Sequence, residues 1–206
     1  MNKYNKGLLI ALAIGDGHLK SRKDKRWNYT QNEICFIHCE KQKDYIEYKS
    51  ELLLNMFGGN QPKVHKFNNS GYIGYRMSKT HKYFRIIYKL LYPNGKKYIS
   101  RQCLNFLSPK GIAIWYMDDG NLAKKKKNGK IHAYELYLNT FVSDEENQTI
   151  IDYFKEVWNI KFSKVKNNGG YRLRCGTIEA RKFINIIKEY VLPSMQYKID
   201  ISKKNI

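Results

Sequence analysis

Helical and strand-like spacings of apolar residues alternate along the chain, in an order that occurs twice. In the first half, helical spacing covers residues 7–16, 41–57 and 80–92, and alternating spacing predicts hairpins of 19–25 with 33–39 and of 63–67 with 72–78. The second half repeats this order. Its middle helix, which runs to Trp158, is predicted to begin with a capping box at Ser143 and Glu146. Each half is therefore predicted to be helix, hairpin, helix, hairpin, helix.

Matching motifs support the duplication. Residues 12–19 and 115–122 share the form apolar helix, Asp-Gly, polar residue, Leu, at a distance of 103 residues. Later segments, such as 63–66 and 164–166, recur at offsets of 99 to 101 residues. We therefore expect two homologous repeats, residues 1–100 and 101–206, in an α+β fold with pseudo-two-fold symmetry.

The charge balance indicates a polyanionic partner. The 206 residues include 38 Lys and Arg against 18 Asp and Glu, a net charge of +20, with 42% hydrophobic and 14% aromatic residues. That apolar content is too high for a disordered polycation, and no apolar run approaches the ~18 residues of a membrane span. Nucleic acid is the leading candidate, since phosphate neutralisation by Lys and Arg drives such binding. A membrane surface is the weaker alternative.

The four cysteines include no Cys-x-x-Cys pair, and the N-terminal apolar stretch is interrupted at Asp16. These features predict an intracellular protein with free thiols rather than a secreted one. The host compartment stays open between a phage-infected or bacterial cytoplasm and an organelle.

Two carboxylates occupy equivalent places in the repeats. Asp16 and Asp119 lie at the predicted C-terminal ends of their helices, where an anion opposes the helix dipole at a cost of roughly 0.3–1 kcal/mol. One Asp before a Gly turn is ordinarily a solvated turn residue. Two at symmetric positions would repel each other at the axis between the repeats unless a divalent cation lay with them, and they predict a metal site.

Both helices carry a recognisable motif. Residues 9–17 (LIALAIGDG) and 112–120 (IAIWYMDDG) resemble the two signature helices of the LAGLIDADG homing endonucleases in their single-chain, two-repeat form. The resemblance also covers residues 138–146 and 192–199. It implies a tandem αββαββα repeat with two saddle-shaped antiparallel β-sheets joined at a paired-helix interface. It also implies a monomer that cuts both strands of duplex DNA across the minor groove with Mg²⁺, or Mn²⁺ as a substitute, leaving short 3′ overhangs.

The resemblance assigns the metal ligands. The acid before the final Gly of the motif corresponds to Asp16 and Asp119, and the carbonyls of the preceding residues, Gly15 and Asp118, are further candidates. Asp118-Asp119 offers two carboxylates, of which Asp119 matches the Asp-Gly register.

The motif copies also depart from the family pattern. Ile14 and Met117 replace the first Asp of the family name, which is not the catalytic one. The small residue expected at the third motif position is Ala11 in the first copy, whereas the second has Ile114, with Ala113 one residue earlier.

Two lysines complete the predicted site. Lys97 and Lys198 follow Pro93 and Pro193, at 81 and 79 residues beyond the acids, although Lys96 competes with Lys97. The resemblance implies basic residues around the active-site solvent here, and cations would stabilise charge on the phosphate during hydrolysis.

Basic residues on the predicted hairpins form the expected DNA-binding surface. The basic members are His18, Lys20, Arg22, Lys63 and His65 in the first half and Lys125, Lys127, Lys164, Lys166, Arg172 and Arg174 in the second, and the polar Asn121 lies with them. A basic two-stranded ribbon fits the major groove, and most of these residues are expected to contact phosphate. For residues 124–127 a solvated lysine-rich face is a nearly equal alternative.

Two other function classes stay open. The same scaffold serves in relatives as a splicing cofactor, a maturase that binds intron RNA, and degenerate repeats can act as non-cutting DNA-binding regulators. Both acids are present in this chain, which favours the nuclease. The expected partner is therefore double-stranded DNA, together with intron RNA if the protein is a maturase. No membrane partner is expected.

Overall fold

A computed structural model describes residues 1–24, 29–167 and 169–201. In the first half, three helices and four strands form one layer of helices on one antiparallel sheet of strand order β1-β2-β4-β3. The elements are α1 (Lys3–Ile14), β1 (His18–Asp24), β2 (Tyr29–Cys39), α2 (Lys43–Phe57), β3 (His65–Asn69), β4 (Tyr72–Thr80) and α3 (Phe84–Leu91).

The second half repeats this arrangement after one additional short helix, α4, and its strand order is β5-β6-β8-β7. Its elements are α4 (Arg101–Leu104), α5 (Pro109–Asp119), β5 (Gly120–Lys127), β6 (Lys130–Leu138), α6 (Asp144–Trp158), β7 (Ser163–Asn167), β8 (Gly170–Gly176) and α7 (Thr177–Ile187). Short 3₁₀ segments follow, of which Pro193–Lys198 carries one of the predicted lysines. The α+β architecture with two pseudo-symmetric repeats is confirmed.

Several element ends differ from the prediction. The third helix begins at Phe84 rather than residue 80, because β4 continues to Thr80, which pairs with Glu33 of β2. Lys25, the end of the first predicted strand, lies outside the described residues. The capping box of α6 is confirmed: Ser143 Oγ accepts from the Glu146 N–H, and the Glu146 carboxylate accepts from the Ser143 N–H.

The two motif helices end differently. The first ends at Ile14 with Gly15 as its C-cap, so Asp16 lies in the following turn rather than in the helix, whereas Asp119 is the last residue of α5. Gly17 closes the turn after α1, because its N–H donates to the Leu12 carbonyl (2.9 Å) and a Cβ would lie 2.2 Å from that oxygen.

The paired helices α1 and α5 form the centre of the core. Residues 7–14 of α1 and 111–117 of α5 are buried without interruption, as expected of helices packed on all sides. A Cβ on Gly111 would lie 3.6 Å from Ala11 Cβ. Gly111 is thus a small residue of α5 that faces Ala11 of α1.

Among the described residues, no helix is long and apolar enough to cross a bilayer. All four cysteines are free thiols, as predicted, and Cys103 and Cys175 are buried.

Candidate active site

The C-terminal ends of α1 and α5 lie against each other and bring the two motif acids to one place. The Asp16 N–H donates to Asp118 Oδ2 across the repeats (3.0 Å). A Cβ on Gly15 would lie 2.2 Å from the same oxygen, so this approach requires glycine. The Asp16 side chain keeps 37% of its surface exposed. The Asp16 carboxylate is therefore accessible to solvent at the junction of α1 and α5.

Both acids resist ionisation. Burial, followed by the neighbouring Asp118 carboxylate, raises the pKa of Asp16 to about 6. Burial, with Asp118 and Asp16 adding to it, raises the pKa of Asp119 to about 7, and Trp115 Nε1 donates to Asp119 Oδ2 (3.0 Å). A cation beside these carboxylates would relieve the repulsion, so the residues present fit a divalent metal.

The predicted lysines lie at equivalent places in the repeats. Lys97 Nζ donates to the carbonyls of Ile14 (2.8 Å) and Gly15 (3.2 Å). Lys198 Nζ donates to the carbonyls of Met117 (2.5 Å) and Asp118 (3.3 Å). Each lysine thus donates to the two carbonyls that precede the acid of its own repeat. Lys96, the alternative to Lys97, is exposed and does not bind these carbonyls. Burial lowers the pKa of both lysines, against the pull of the nearby acids.

Asp119 lines a cleft of about 430 Å³ with Gly15 and Lys97 of the first repeat. The other wall of the cleft is the loop 139–143. Asn139 donates its N–H (3.0 Å) and its Nδ2 (2.8 Å) to the Asp119 carbonyl, which fixes the acid from the main-chain side. This role of Asn139 was not predicted.

Phe141 also lines this cleft and was not predicted as a site residue. Its side chain is 71% exposed, and its φ of 49° is in the left-handed region that bulky residues avoid. No sequence signal marks such a conformation in a non-glycine residue.

The Asp118 carboxylate is paired with a lysine of the first repeat and does not line the cleft. It forms an ion pair with Lys49 of α2 at 2.6 Å (Oδ1 to Nζ), with both side chains fully buried. Lys49 Nζ also donates to His38 Nε2 (3.0 Å), and His38 Nδ1 contacts Gln42 Oε1 (3.1 Å). Neither Lys49 nor His38 was predicted as a site residue, although a lysine on the apolar face of α2 between Ile46 and Leu53 was a signal.

This network gives Asp118 a different role from the neighbouring Asp119, because the Asp118 carboxylate is paired with Lys49. Ligand atoms of Asp16, His38 and Asp118 lie within 4.8 Å of one another, a spacing that could suit a metal. The ammonium of Lys49, however, already neutralises Asp118 and occupies His38 Nε2. Burial and Lys49 also lower the pKa of His38 to about 4, in keeping with a neutral ring that donates through Nδ1 and accepts through Nε2.

The sheet register decides which basic residues share the face that points away from the helices. In the first sheet this face carries the predicted residues His18, Lys20, Arg22 and His65, together with Arg76, which was not predicted. Arg76 pairs with both Ile37 and His65 and is exposed. The opposite face, with Leu19 and Met77, is buried against the helices.

In the second sheet Asn121, Lys125, Arg172 and Arg174 share the corresponding face, and Lys127 pairs with Lys130 beyond an irregularity after Lys125. Arg172 lies over the Tyr137 ring (3.9 Å). These residues extend a basic surface over both repeats.

Three predicted members do not join this surface. Lys164 and Lys166 pair with Leu173 and Tyr171, so they lie on the opposite face from Arg172 and Arg174, and Lys164 bonds to Asp144 of α6. This separation arises because alternate residues of a strand point to opposite sides of the sheet, and a DNA-binding role of Lys164 and Lys166 stays a prediction. Lys63 precedes β3 and lines a surface cavity together with Glu47 and Glu51 of α2.

The sequence is similar to proteins of several organisms. It is 26% identical over 202 residues to protein RecA of Mycolicibacterium flavescens, covering 93% of this chain and 45% of that protein. The chain thus spans about half the length of the RecA relatives that it matches. It is 32% identical over 125 residues (58% of this chain, 88% of the relative) to the probable intron-encoded DNA endonuclease 3 of Mycosarcoma maydis. It is 28% identical over 201 residues (93% and 72%) to the cytochrome b mRNA maturase bI2 of Debaryomyces hansenii.

Solved structures share the fold. The homing endonuclease I-WcaI bound to its DNA recognition sequence matches with a TM-score of 0.79 and 24% identity, over 98% of this chain and 88% of that one. The endonuclease I-DmoI in complex with DNA and Mn matches with a TM-score of 0.54 and 16% identity, over 92% and 99%. The model of the LAGLIDADG DNA endonuclease family matches residues 6–183. This chain therefore belongs to the LAGLIDADG DNA endonuclease family.

Proposed function

We propose that this protein is a site-specific endonuclease that hydrolyses both strands of duplex DNA with Mg²⁺ and leaves short 3′ overhangs. The observation that carries the proposal is the pair of acids at the joined ends of α1 and α5, each with a lysine on the carbonyls before it. Two such sites match the two strands of a duplex. The relatives named as an intron-encoded DNA endonuclease and as a DNA-bound homing endonuclease support it.

Carboxylate and carbonyl oxygens are the ligands that Mg²⁺ and Mn²⁺ prefer. Asp119 would hold a metal together with the carbonyl of Gly15, a residue of the same cleft. Asp16 would hold one together with the Asp118 carbonyl. When bound, the metal would activate water and neutralise charge on the scissile phosphate. A solved relative that contains DNA and Mn supports the use of a divalent metal.

The protein's own groups would prepare the phosphate for attack. Lys97 and Lys198 hold their ammonium groups at the helix ends, where they would stabilise negative charge that develops on the phosphate oxygens. Trp115 and Asn139 hold Asp119 from its side chain and its carbonyl, which keeps the carboxylate in a fixed orientation. Such positioning lowers the barrier because little rearrangement is left for the reaction itself.

The open faces of the two sheets would bind the DNA on either side of the acids. Their basic members are Arg22, Lys20, His18, His65 and Arg76 in the first repeat and Lys125, Arg172 and Arg174 in the second, with Asn121 and Lys127 beside them. Because the two repeats, divided near residues 100 and 101, supply both half-sites, the protein would act as a monomer.

The test replaces each acid. The target is first selected from a randomised duplex library and placed in a plasmid. Asp16→Asn and Asp119→Asn are expected not to convert this plasmid to its linear form. Both variants should still shift the electrophoretic mobility of the target DNA in Ca²⁺, because the basic surface is unchanged. Wild-type cutting in EDTA would contradict the metal, and full activity of Asp119→Asn would contradict that ligand.

The similarity to the cytochrome b mRNA maturase bI2 favours a second candidate, a splicing cofactor that binds intron RNA. RNA transcribed from the locus that surrounds the gene would be incubated with Asp16→Asn. Splicing by this variant would establish the second function separately from cutting, and no stimulation over RNA alone would exclude it for that RNA.

A further inference from the structure

A buried ion pair joins the two repeats directly beneath the first acid. Lys49 belongs to α2 of the first repeat and Asp118 to α5 of the second, and their side chains lie 2.6 Å apart with no exposed surface. A buried pair of this kind is expensive in solvation unless every charge finds partners. The burial of this pair at the junction of the two repeats therefore indicates that it has a function at this position.

The pair is fully partnered. Lys49 Nζ donates to Asp118 Oδ1 and His38 Nε2 and lies 4.3 Å from the centre of the Tyr45 ring. The second oxygen of Asp118 accepts from the Asp16 N–H. Lys49 thus permits a charged carboxylate to stay buried, and that carboxylate binds the main chain of Asp16.

The other acid has no such arrangement. The residue equivalent to Asp118 in the first motif is Gly15, which has no side chain. The residue equivalent to Lys49, at the seventh position of the 15-residue helix α6, is Ile150, which is fully buried. Asp119 is held instead by Trp115 and Asn139.

We propose that Lys49 and Asp118 are positioning residues that fix the main chain of Asp16, so that the two active sites depend on different supports. The inference rests on the proposed endonuclease function. Loss of the pair should displace Asp16 and leave Asp119 in place, so that cutting of one strand slows more than cutting of the other.

The test measures both strands separately. A target duplex carries a different label on each strand, and single-turnover rates are taken with protein in excess. The double variant Lys49→Met/Asp118→Leu replaces the pair with apolar side chains of similar volume, which such sites often tolerate. We expect the ratio of the two strand rates to change about tenfold or more, as misplacement of a reacting group typically costs.

Two control variants separate positioning from general loss of stability. Lys49→Met/Asp118→Asn keeps an oxygen acceptor for the Asp16 N–H and is expected to return the ratio towards that of the wild type. Ile150→Ala leaves a cavity at the equivalent place in the other repeat and is expected to leave the ratio within about twofold of the wild type. An unchanged ratio in the Leu double variant would overturn the proposal.

A second measurement does not depend on activity. Hydrogen exchange of the Asp16 amide should be about tenfold faster in the Leu double variant and close to wild type in the Asn double variant. If the wild type does not cut DNA, the proposed function fails while exchange still tests the positioning role. If the wild type cuts and the Asp16 amide exchanges equally in all variants, the positioning role alone is wrong.

Discussion

Gly15 and Asp118 occupy equivalent positions in the two motifs and contact each other across the pseudo-symmetry axis. A Cβ on Gly15 would lie 2.2 Å from Asp118 Oδ2 and 2.8 Å from Asp118 Cβ. The missing side chain of one repeat therefore makes room for the carboxylate of the other. The duplicated helices pack closely because their sequences differ at this position.

We predict that Gly15→Ala destabilises the fold by about 1–3 kcal/mol, because the added methyl group overlaps a buried carboxylate that cannot move freely. Chemical denaturation with urea measures this loss. The matched control is Gly111→Ala in the same helix pair, where a Cβ would meet neighbours at 3.5 Å and beyond. That change is expected to be neutral or to stabilise by roughly 0.5–1 kcal/mol, as alanine does in a helix. Equal stability of the two variants would contradict the close contact.

Arg76 should contribute to DNA binding through the open sheet face. Arg76→Gln is expected to reduce the slope of log K against log salt by about 0.9, the contribution of one phosphate contact. Lys79→Gln is the control on the same strand, since Lys79 lies on the opposite face and its Nζ donates to the Asn60 carbonyl (2.9 Å). Fluorescence anisotropy over a salt series measures both slopes, and an equal change in the two variants would refute the assignment of faces.

Phe141 should store conformational strain beside the cleft. Phe141→Gly is expected to stabilise the protein by about 0.5–1 kcal/mol, because glycine adopts a φ near +50° without the penalty of a side chain. Phe141→Ala keeps that penalty and should not gain stability, since the phenyl ring is largely exposed. Urea midpoints of the two variants provide the measurement. A glycine variant no more stable than the alanine variant would show that the strain is absent.

The protein should sediment as a monomer of 24.5 kDa without DNA, because its two repeats already provide the symmetry that a dimer of single repeats would create. Analytical ultracentrifugation at micromolar concentration measures the mass. A stable dimer would contradict the view that one chain supplies both half-sites.

The sequence by itself determined the elements and the duplicated layout, because hydrophobic spacing and capping signals are local properties of the chain. The capping box at Ser143 followed from a few neighbouring residues. The repeat also made Asp16 and Asp119, and Lys97 and Lys198, equivalent candidates, and the structure brings each lysine to the helix end of its own repeat.

Only the tertiary structure decided the contacts between distant segments. Lys49 and Asp118 are 69 residues apart, and nothing local distinguishes a buried partnered lysine from a solvated one. The faces of Lys164 and Arg172 depend on the pairing register of β7 with β8, where a shift of one residue exchanges the two sides of the sheet. Ion pairing and strand register are set by packing across the whole fold, and this is why sequence spacing located the acids but not the network that holds one of them.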